Sequence, residues 1–456
     1  MAAQSASDVE RLIAAAMAEH KAGRLDAAEA SWRAALALYS TAAGQAQTRL
    51  APGRAAILHN LGVVVAAQGR HADALALFEA ALATEPQYAS AHHNRGVALE
   101  ALGQSRAAID AYRRAAVLEP GHYDAHRALG FLWQAEGDRG RALDHFARTH
   151  ELRRGEDRTG MAQHSLTHAT QAKLLHDAGQ FRYLSSSRRD SKRFEMLARL
   201  YETVAAEIAE TDTQLSDSQL DMLGEDYNTA IALSSAPECP GGAVSVALDT
   251  AGITRAFKAP AAGAVAIDGL LTPAALAGLQ RYLLESTIWH DFSHIGGFVA
   301  SYLEDGLACP LVLQIADEIR GCLPELLGRH PLSQAWAFKG LHSLAAIDAH
   351  ADDAAISVNF WVTPDAANLS PGGGGLSVCR TSPPAARHVR GYDADKQQIA
   401  AFLDAHAAES LVVPYAENRA VLFQSRLFHR SDAPRFAAGY ENHRINLTLL
   451  YGRHGR

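Results

Sequence analysis

A period of 34 residues runs through the first third of the chain. Gly62, Gly96 and Gly130 lie 34 residues apart, and so do Gly69, Gly103 and Gly137. Ala74, Ala108 and Ala142 keep the same spacing, as do the aromatics Phe78, Tyr112 and Phe146. A fixed period of this length means that one helix–turn–helix unit is copied. A unit so short cannot bury an apolar face alone, so neighbours must stack. The first glycine set lets paired helices approach, the aromatics fill the space between units, and the second glycine set marks the turn between two helices. Pro86 and Pro120 close the second helices of two units. An earlier unit shows in Gly23, Ala28, Trp32 and Ala35, followed by a longer connection from Thr41 to Pro52. Together these make about four units, enough for a continuous core and a concave face.

The pattern resembles the tetratricopeptide repeat, and the array is placed at residues 7–156. A concave face of this kind implies a peptide or protein partner; the alternatives are a scaffold for dimerisation or a platform for the domain that follows. His59, Asn60, His92, His93, Asn94 and His126 fall on first helices. Each either lines the concave face or is a solvated polar position.

Residues 157–260 read as a helical cap and linker. Residues 161–178 and 191–208 carry apolar residues at helical spacing, and the first stretch is suited to covering the end of the array. Between them the SSSRRD run at 185–190 reads as a solvated loop in preference to a phosphate site. Beyond Thr213 the text is punctuated by Gly and Pro, with an early strand expected at 243–248.

The pattern changes at residues 261–454. After a short strand at 264–267, Thr272-Pro273 opens a helix, Thr as N-cap and Pro in the first helical position. A second helix is expected over 310–322. Short runs at 334–341, 356–363, 375–378, 410–414, 419–424 and 444–451 then read as strands, which suggests a sandwich or jelly roll. The fold class is therefore α+β and multidomain. Pro371 and Gly372 to Gly375 make a turn; they lack the Lys-Ser/Thr and helix of a phosphate loop.

The chemistry concentrates in this last region. His350-Ala351-Asp352 offers an imidazole and a carboxylate at i and i+2, which face the same way in extended chain. His429 follows 79 residues later and Arg444 another 15 residues on. Two His and one carboxylate form the facial triad of non-haem iron oxygenases, and an Arg fork suits a dicarboxylate. Asn446 shares a strand face with Arg444, and Asn359 shares one with Trp361. Asp353 points away from Asp352. Taken singly these residues have plainer readings: a structural His, an Arg paired with a core carboxylate, ordinary sheet packing for Asn359 and Trp361. His290, His294, His342 and His443 have no assigned role.

His-x-Asp, a distal His and an Arg on the next strand resemble the Fe(II)- and 2-oxoglutarate-dependent oxygenases. The stretches NFWVTPDAANLSPGGGGL and FHRSDAPRFAAGYENHRINLTLLYG are similar to bacterial members with tetratricopeptide repeats in front. The resemblance spans residues 263–452. It implies a double-stranded β-helix in which His350, Asp352 and His429 hold Fe(II). It also implies open positions for 2-oxoglutarate and O2, with Arg444 on the far carboxylate and Asn446 and Asn359 beside the co-substrate. Because Asp352 is present, hydroxylation is implied and halogenation is not. The expected activity is hydroxylation of a peptide or protein side chain, with the repeats binding substrate. The alternatives are a small-molecule oxygenase whose repeats serve assembly, and a non-catalytic scaffold.

Composition sets the remaining bounds. The 456 residues, 48% hydrophobic and 20% charged, suffice for two or three cores. A net charge of −8 argues against a general nucleic-acid surface. Cys239, Cys309, Cys322 and Cys379 form no C-x-x-C pair and read as packed thiols. The sequence shows no signal-peptide pattern and no spanning apolar run, so a cytoplasmic location is expected.

Overall fold

The 34-residue period folds as paired helices. A computed structural model describes residues 2–45, 53–155, 163–187, 190–260, 262–293, 297–341, 347–383, 396–431 and 435–453. The helices are α1 (Ala2–Lys21), α2 (Leu25–Gln45), α3 (Arg54–Ala67), α4 (His71–Thr84), α5 (Ala89–Ala101), α6 (Ser105–Leu118), α7 (Tyr123–Ala135) and α8 (Arg139–Arg154). The first six form three of the expected pairs, α1 with α2, α3 with α4 and α5 with α6. The small residues act as the sequence implies: a Cβ on Gly62 would lie 2.7 Å from the Phe78 ring, and one on Gly96 would lie 2.7 Å from that of Tyr112. Gly69 and Gly103 turn the chain between helices at φ +81° and +76°, a conformation that suits glycine. Trp32, Phe78, Leu61 and Val65 are among the residues of the array core.

Two compact units divide the chain, residues 1–132 and 133–456. Helix α8 falls in the second. There Gln134 Nε2 donates to Asp317 Oδ1 at 2.8 Å, and Arg139 pairs with Glu238 at 2.8 Å and with Asp317 at 3.2 Å. The helices and strands that follow are α9 (Gln163–Thr167), β1 (His168–Ala169), α10 (Gln171–Ser187), α11 (Ser191–Glu207), β2 (Thr213–Gln214), α12 (Asp217–Leu223) and α13 (Thr250–Lys258). Three expectations are corrected here. The helix expected over 161–178 is interrupted by β1, which pairs with β2. Ser185 to Ser187 end helix α10 instead of lying in a loop; residues 188–189 fall outside the described residues. No strand forms at 243–248, where a single bridge joins Val244 to Leu271. The amides of Ala243 and Val244 donate instead to Glu318, at 2.7 and 2.8 Å, a partner remote in sequence.

The β-rich region comprises β3 (Ala264–Ile267), α14 (Pro273–Glu285), β4 (Phe298–Tyr302), α15 (Pro310–Cys322), α16 (Pro324–Leu327), β5 (Leu332–Gly340), β6 (Ile347–His350), β7 (Ile356–Trp361), β8 (Leu376–Cys379), β9 (Ser410–Val413), β10 (Ala420–Gln424), β11 (His429–Ser431) and β12 (Ile445–Tyr451). A further helix, Lys396–Ala405, precedes β9. Thr272 caps α14, its side chain accepting from Ala275 N at 3.3 Å. Six strands form one antiparallel sheet in the order β3-β10-β7-β12-β5-β4, and four form a second in the order β6-β11-β8-β9. The inner faces pack through Trp361, Val421 and Phe423 of the first and Leu376, Val378 and Val413 of the second. Helix α15 lies on the outer face of the six-stranded sheet, where Tyr451 Oη donates to Ala316 O at 2.8 Å. The unit is thus mixed α+β. Arg444 immediately precedes β12, one residue outside the strand expected to hold it.

Between α10 and the outer face lies a buried polar knot. Lys173 donates to Asp177, and His176 Nδ1 donates to Asp177 Oδ1 at 2.9 Å. His176 also faces Trp289, Tyr440, His443 and Lys339. Burial pushes His176 down to about 4, with Asp177 acting in the opposite direction. An unfolded His titrates near 6.5. The depressed folded value means that the stability gained from a neutral His176 is complete above about pH 6.5 and is lost as pH falls towards 4. Thermal unfolding followed from pH 7.5 to 4.5 is expected to show this decline, and His176→Gln to flatten it; an equal slope in both proteins would refute the assignment.

Candidate metal centre

Strand pairing builds the site. His350 ends β6 and His429 begins β11, and the two sit opposite each other in the antiparallel register. Their ring centroids are 4.3 Å apart. Asp352 lies just past β6, where its backbone N–H donates to Ser425 O at 2.9 Å, which ties it to the end of β10. His429 Nε2 stands 3.6 Å from Asp352 Oδ2, and His350 Nε2 stands 3.9 Å from Asp352 Oδ1. One ligand atom from each of the three lies within 4.8 Å of the others.

The surroundings prepare these atoms for a cation. His350 Nδ1 donates to Asp348 O at 2.9 Å and His429 Nδ1 to Leu427 O at 3.1 Å. Because a carbonyl can only accept, each Nδ1 carries the proton and each Nε2 presents a lone pair. Burial, reinforced by the neighbouring His350, pushes His429 down to about 4, with Asp352 opposing. Ser357 Oγ donates to Asp352 Oδ2 at 2.7 Å and meets Ser425 Oγ at 2.8 Å, which fixes the carboxylate. Cis ligands about 2.1 Å from an ion sit about 3 Å apart, so closing the set draws the carboxylate and imidazoles together by roughly an ångström, within the reach of side-chain rotation. The donor set fits a divalent ion that accepts imidazole and carboxylate.

The pocket in front is lined by both sheets. Arg444 and Asn446 reach it beside β12, Asn359 from β7, and Trp336 and Phe338 from β5. Arg444 is buried; its Nε donates to Gly374 O at 2.9 Å and its Nη1 to Asn446 Oδ1 at 3.0 Å, with the guanidinium 5.7 Å from the Trp361 ring. Asn359 Nδ2 donates to Thr448 Oγ1 at 2.8 Å, while its buried Oδ1 meets no hydrogen-bond partner. All six residues singled out by sequence, His350, Asp352, His429, Arg444, Asn446 and Asn359, therefore border one pocket. Trp361 does not line it, and packs against Tyr415 and Arg444 instead. The sequence reading missed Trp336, Phe338, Leu376, Phe423, Ser431 and Thr448. The period-two spacing of Trp336 with Phe338, and of Asn446 with Thr448, was the available signal. A larger, open groove runs along Ser191, Lys192, Glu195, Met196 and Arg199, none of which belongs to a metal-compatible cluster among the described residues; its Arg199 is paired with Glu195 at 3.2 Å.

Of the histidines without a role, His294 and His342 lie outside the described residues. His290 is buried beside Asn228, 3.3 Å away, and His443 packs against His176 and Tyr440. On the repeats, His59 is buried and meets Asn94 Nδ2 at 2.7 Å and Tyr88 Oη at 3.4 Å. The His93 ring lies tilted against that of His122, with centroids 4.8 Å apart. All four cysteines are free. Among the described residues no helix is long and apolar enough to cross a membrane.

Residues 53–116 match the tetratricopeptide repeat family. No curated protein matches the sequence. Solved structures similar to the chain include MamA, at 22% identity over 31% of this chain and 75% of that one, with a TM-score of 0.27. A tetratricopeptide repeat protein from Parabacteroides merdae is 22% identical over 44% of this chain and 74% of that one, with a TM-score of 0.29. The first tetratricopeptide domain of Spaghetti, solved with an HSP90 peptide, is 22% identical over 29% of this chain and 95% of that one, with a TM-score of 0.24. The N-terminal part of the chain is a tetratricopeptide array, a scaffold suited to protein interaction.

Proposed function

We propose that the chain is an Fe(II)- and 2-oxoglutarate-dependent oxygenase that hydroxylates a peptide or protein side chain, with the repeat array binding the polypeptide. The observation that carries this reading is the convergence of His350, Asp352 and His429 on one point, in a pocket that also holds a buried Arg. The fold that belongs with it is a double-stranded β-helix, and the facing antiparallel sheets are consistent with that. Tetratricopeptide arrays bind extended chains on their concave face, which favours a polypeptide substrate.

Fe(II), when held by the three ligands, couples oxidative decarboxylation of 2-oxoglutarate by O2, to succinate and CO2, with insertion of the second oxygen atom into a substrate C–H bond. The chain's own work is positioning. His350 and His429 offer fixed Nε2 lone pairs, and Asp352 contributes the negative charge and is oriented by Ser357. The Arg444 guanidinium, held by Gly374 O and Asn446, would take the distal carboxylate of the co-substrate. Asn359 Oδ1 is an acceptor still to be satisfied. Trp336, Phe338, Leu376 and Phe423 restrict water at the pocket wall.

The test is anaerobic. Fe(II) followed by 2-oxoglutarate is expected to give the visible charge-transfer band of a chelated 2-oxo acid. Arg444→Ala is expected to weaken co-substrate binding by about 10- to 100-fold, the worth of a charged hydrogen bond of about 1.5–3 kcal/mol, with iron binding unchanged. A folded, iron-loaded wild type without the band would overturn the proposal and leave an interaction scaffold.

A further inference from the structure

A second group of metal-compatible side chains lies away from the pocket: His150 of α8, His290, and Asp305, which follows β4 in a short helical turn. One ligand atom from each lies within 4.8 Å of the others. His290 and Asp305 are buried, at 2% and 1% exposure.

The hydrogen bonds around His290 dictate its chemistry. Asn228 Nδ2 donates to Ser165 O at 2.9 Å, and only the amide nitrogen can face that carbonyl. Asn228 Oδ1 therefore faces His290 Nδ1, 3.3 Å away, and accepts its proton. His290 Nε2 is then a lone pair, buried and without a hydrogen-bond partner. Asn228 is held at φ +54°, a left-handed conformation that Asn tolerates better than most non-glycine residues. His150 Nε2 is likewise buried and without a partner. It occupies space left open by Gly306, since a Cβ there would stand 2.9 Å from it. Asp305 accepts from Arg154 Nε at 2.6 Å and from Arg154 Nη2, which leaves each carboxylate oxygen a further lone pair.

The His290 lone pair, the unpartnered His150 Nε2 and the Asp305 carboxylate form a donor set for a Lewis acid, with the neighbouring Arg154 cation already paired to Asp305. A buried water could donate to both nitrogens, and that is the competing occupant. Imidazole donors select zinc-like ions over calcium or magnesium. We propose that His150, His290 and Asp305 bind a structural divalent transition-metal ion of the zinc type, which ties α8 to the β-rich body of the same unit. Asn228 is a positioning residue that sets the His290 tautomer. This site is independent of the reading given to His350, Asp352 and His429.

The test uses the full chain, stripped with chelator and titrated with Co(II) and Zn(II). In a His350→Ala/His429→Ala background about one ion per chain is expected, with a Co(II) ligand-field spectrum and a rise in Tm on Zn(II) addition. Adding His290→Gln should remove the spectrum and the Tm response, and Asn228→Ala should weaken binding by about 10- to 100-fold. In the otherwise wild-type chain, His290→Gln should lower the bound ions by about one while the 2-oxoglutarate charge-transfer band stays. If the double variant does not fold, that loss in the otherwise wild-type chain decides. A folded protein whose Co(II) spectrum and Zn(II) response are the same with His290 and with Gln would overturn the proposal and leave a water site.

Discussion

His350→Ala is expected to abolish both the charge-transfer band and succinate formation, a loss of well over about 100-fold, because a ligand counts for more than the 10- to 100-fold of an outer-shell partner. The variant should remain folded. His350 is half-buried and ends a four-residue strand, so little packing is lost. His429→Ala should be as inactive but less stable, since its buried ring also packs 4.6 Å from that of Phe423. Activity, band and melting temperature measured together separate the two variants. Retained turnover in a folded His350→Ala protein would remove it from the centre.

The second large effect concerns stability. Asp177→Ala removes the acceptor shared by Lys173 and His176 and leaves a buried ammonium without its partner. Breaking one side of a buried pair costs about 3–5 kcal/mol, which for a unit of this size lowers Tm by on the order of 10 °C. The double replacement Lys173→Met/Asp177→Leu removes both charges and should recover most of that loss. Chemical denaturation of the three proteins checks the prediction; a double variant as unstable as Asp177→Ala would show that the knot contributes more than its charge balance.

What could be seen in the sequence follows the range of the interactions. The repeats were legible because their contacts are local: Gly62 meets Phe78 and Gly96 meets Tyr112, each 16 residues on. Helix α14 was legible from Thr272-Pro273, and strands β5, β7, β10 and β12 from apolar alternation or runs. Strand β4 was missed because Phe298, Val299, Ala300 and Ser301 are all buried, so no alternation survives. The segment around Ala243 and Val244 was misread because its amides are satisfied by Glu318, a partner no local pattern names. His350, Asp352, His429 and Arg444 were legible as a set because their order and spacing are distinctive. The His150, His290 and Asp305 group was not: its members are scattered over 156 positions and share no motif.

The strand order carries a consequence for how the protein is made. Strand β12 follows both β5 and β7 in sequence, yet it lies between them in the sheet. Without it the six-stranded sheet is two separate pieces, β3-β10-β7 and β5-β4. The repeats can fold as they leave the ribosome, since each helix pairs with its neighbour in sequence. The sheet must wait for Tyr451, and until then the edges of β7 and β5 stand open to other chains. Synthesis therefore sets a clock: the repeats mature first, and the six-stranded sheet is joined only once β12 has been made.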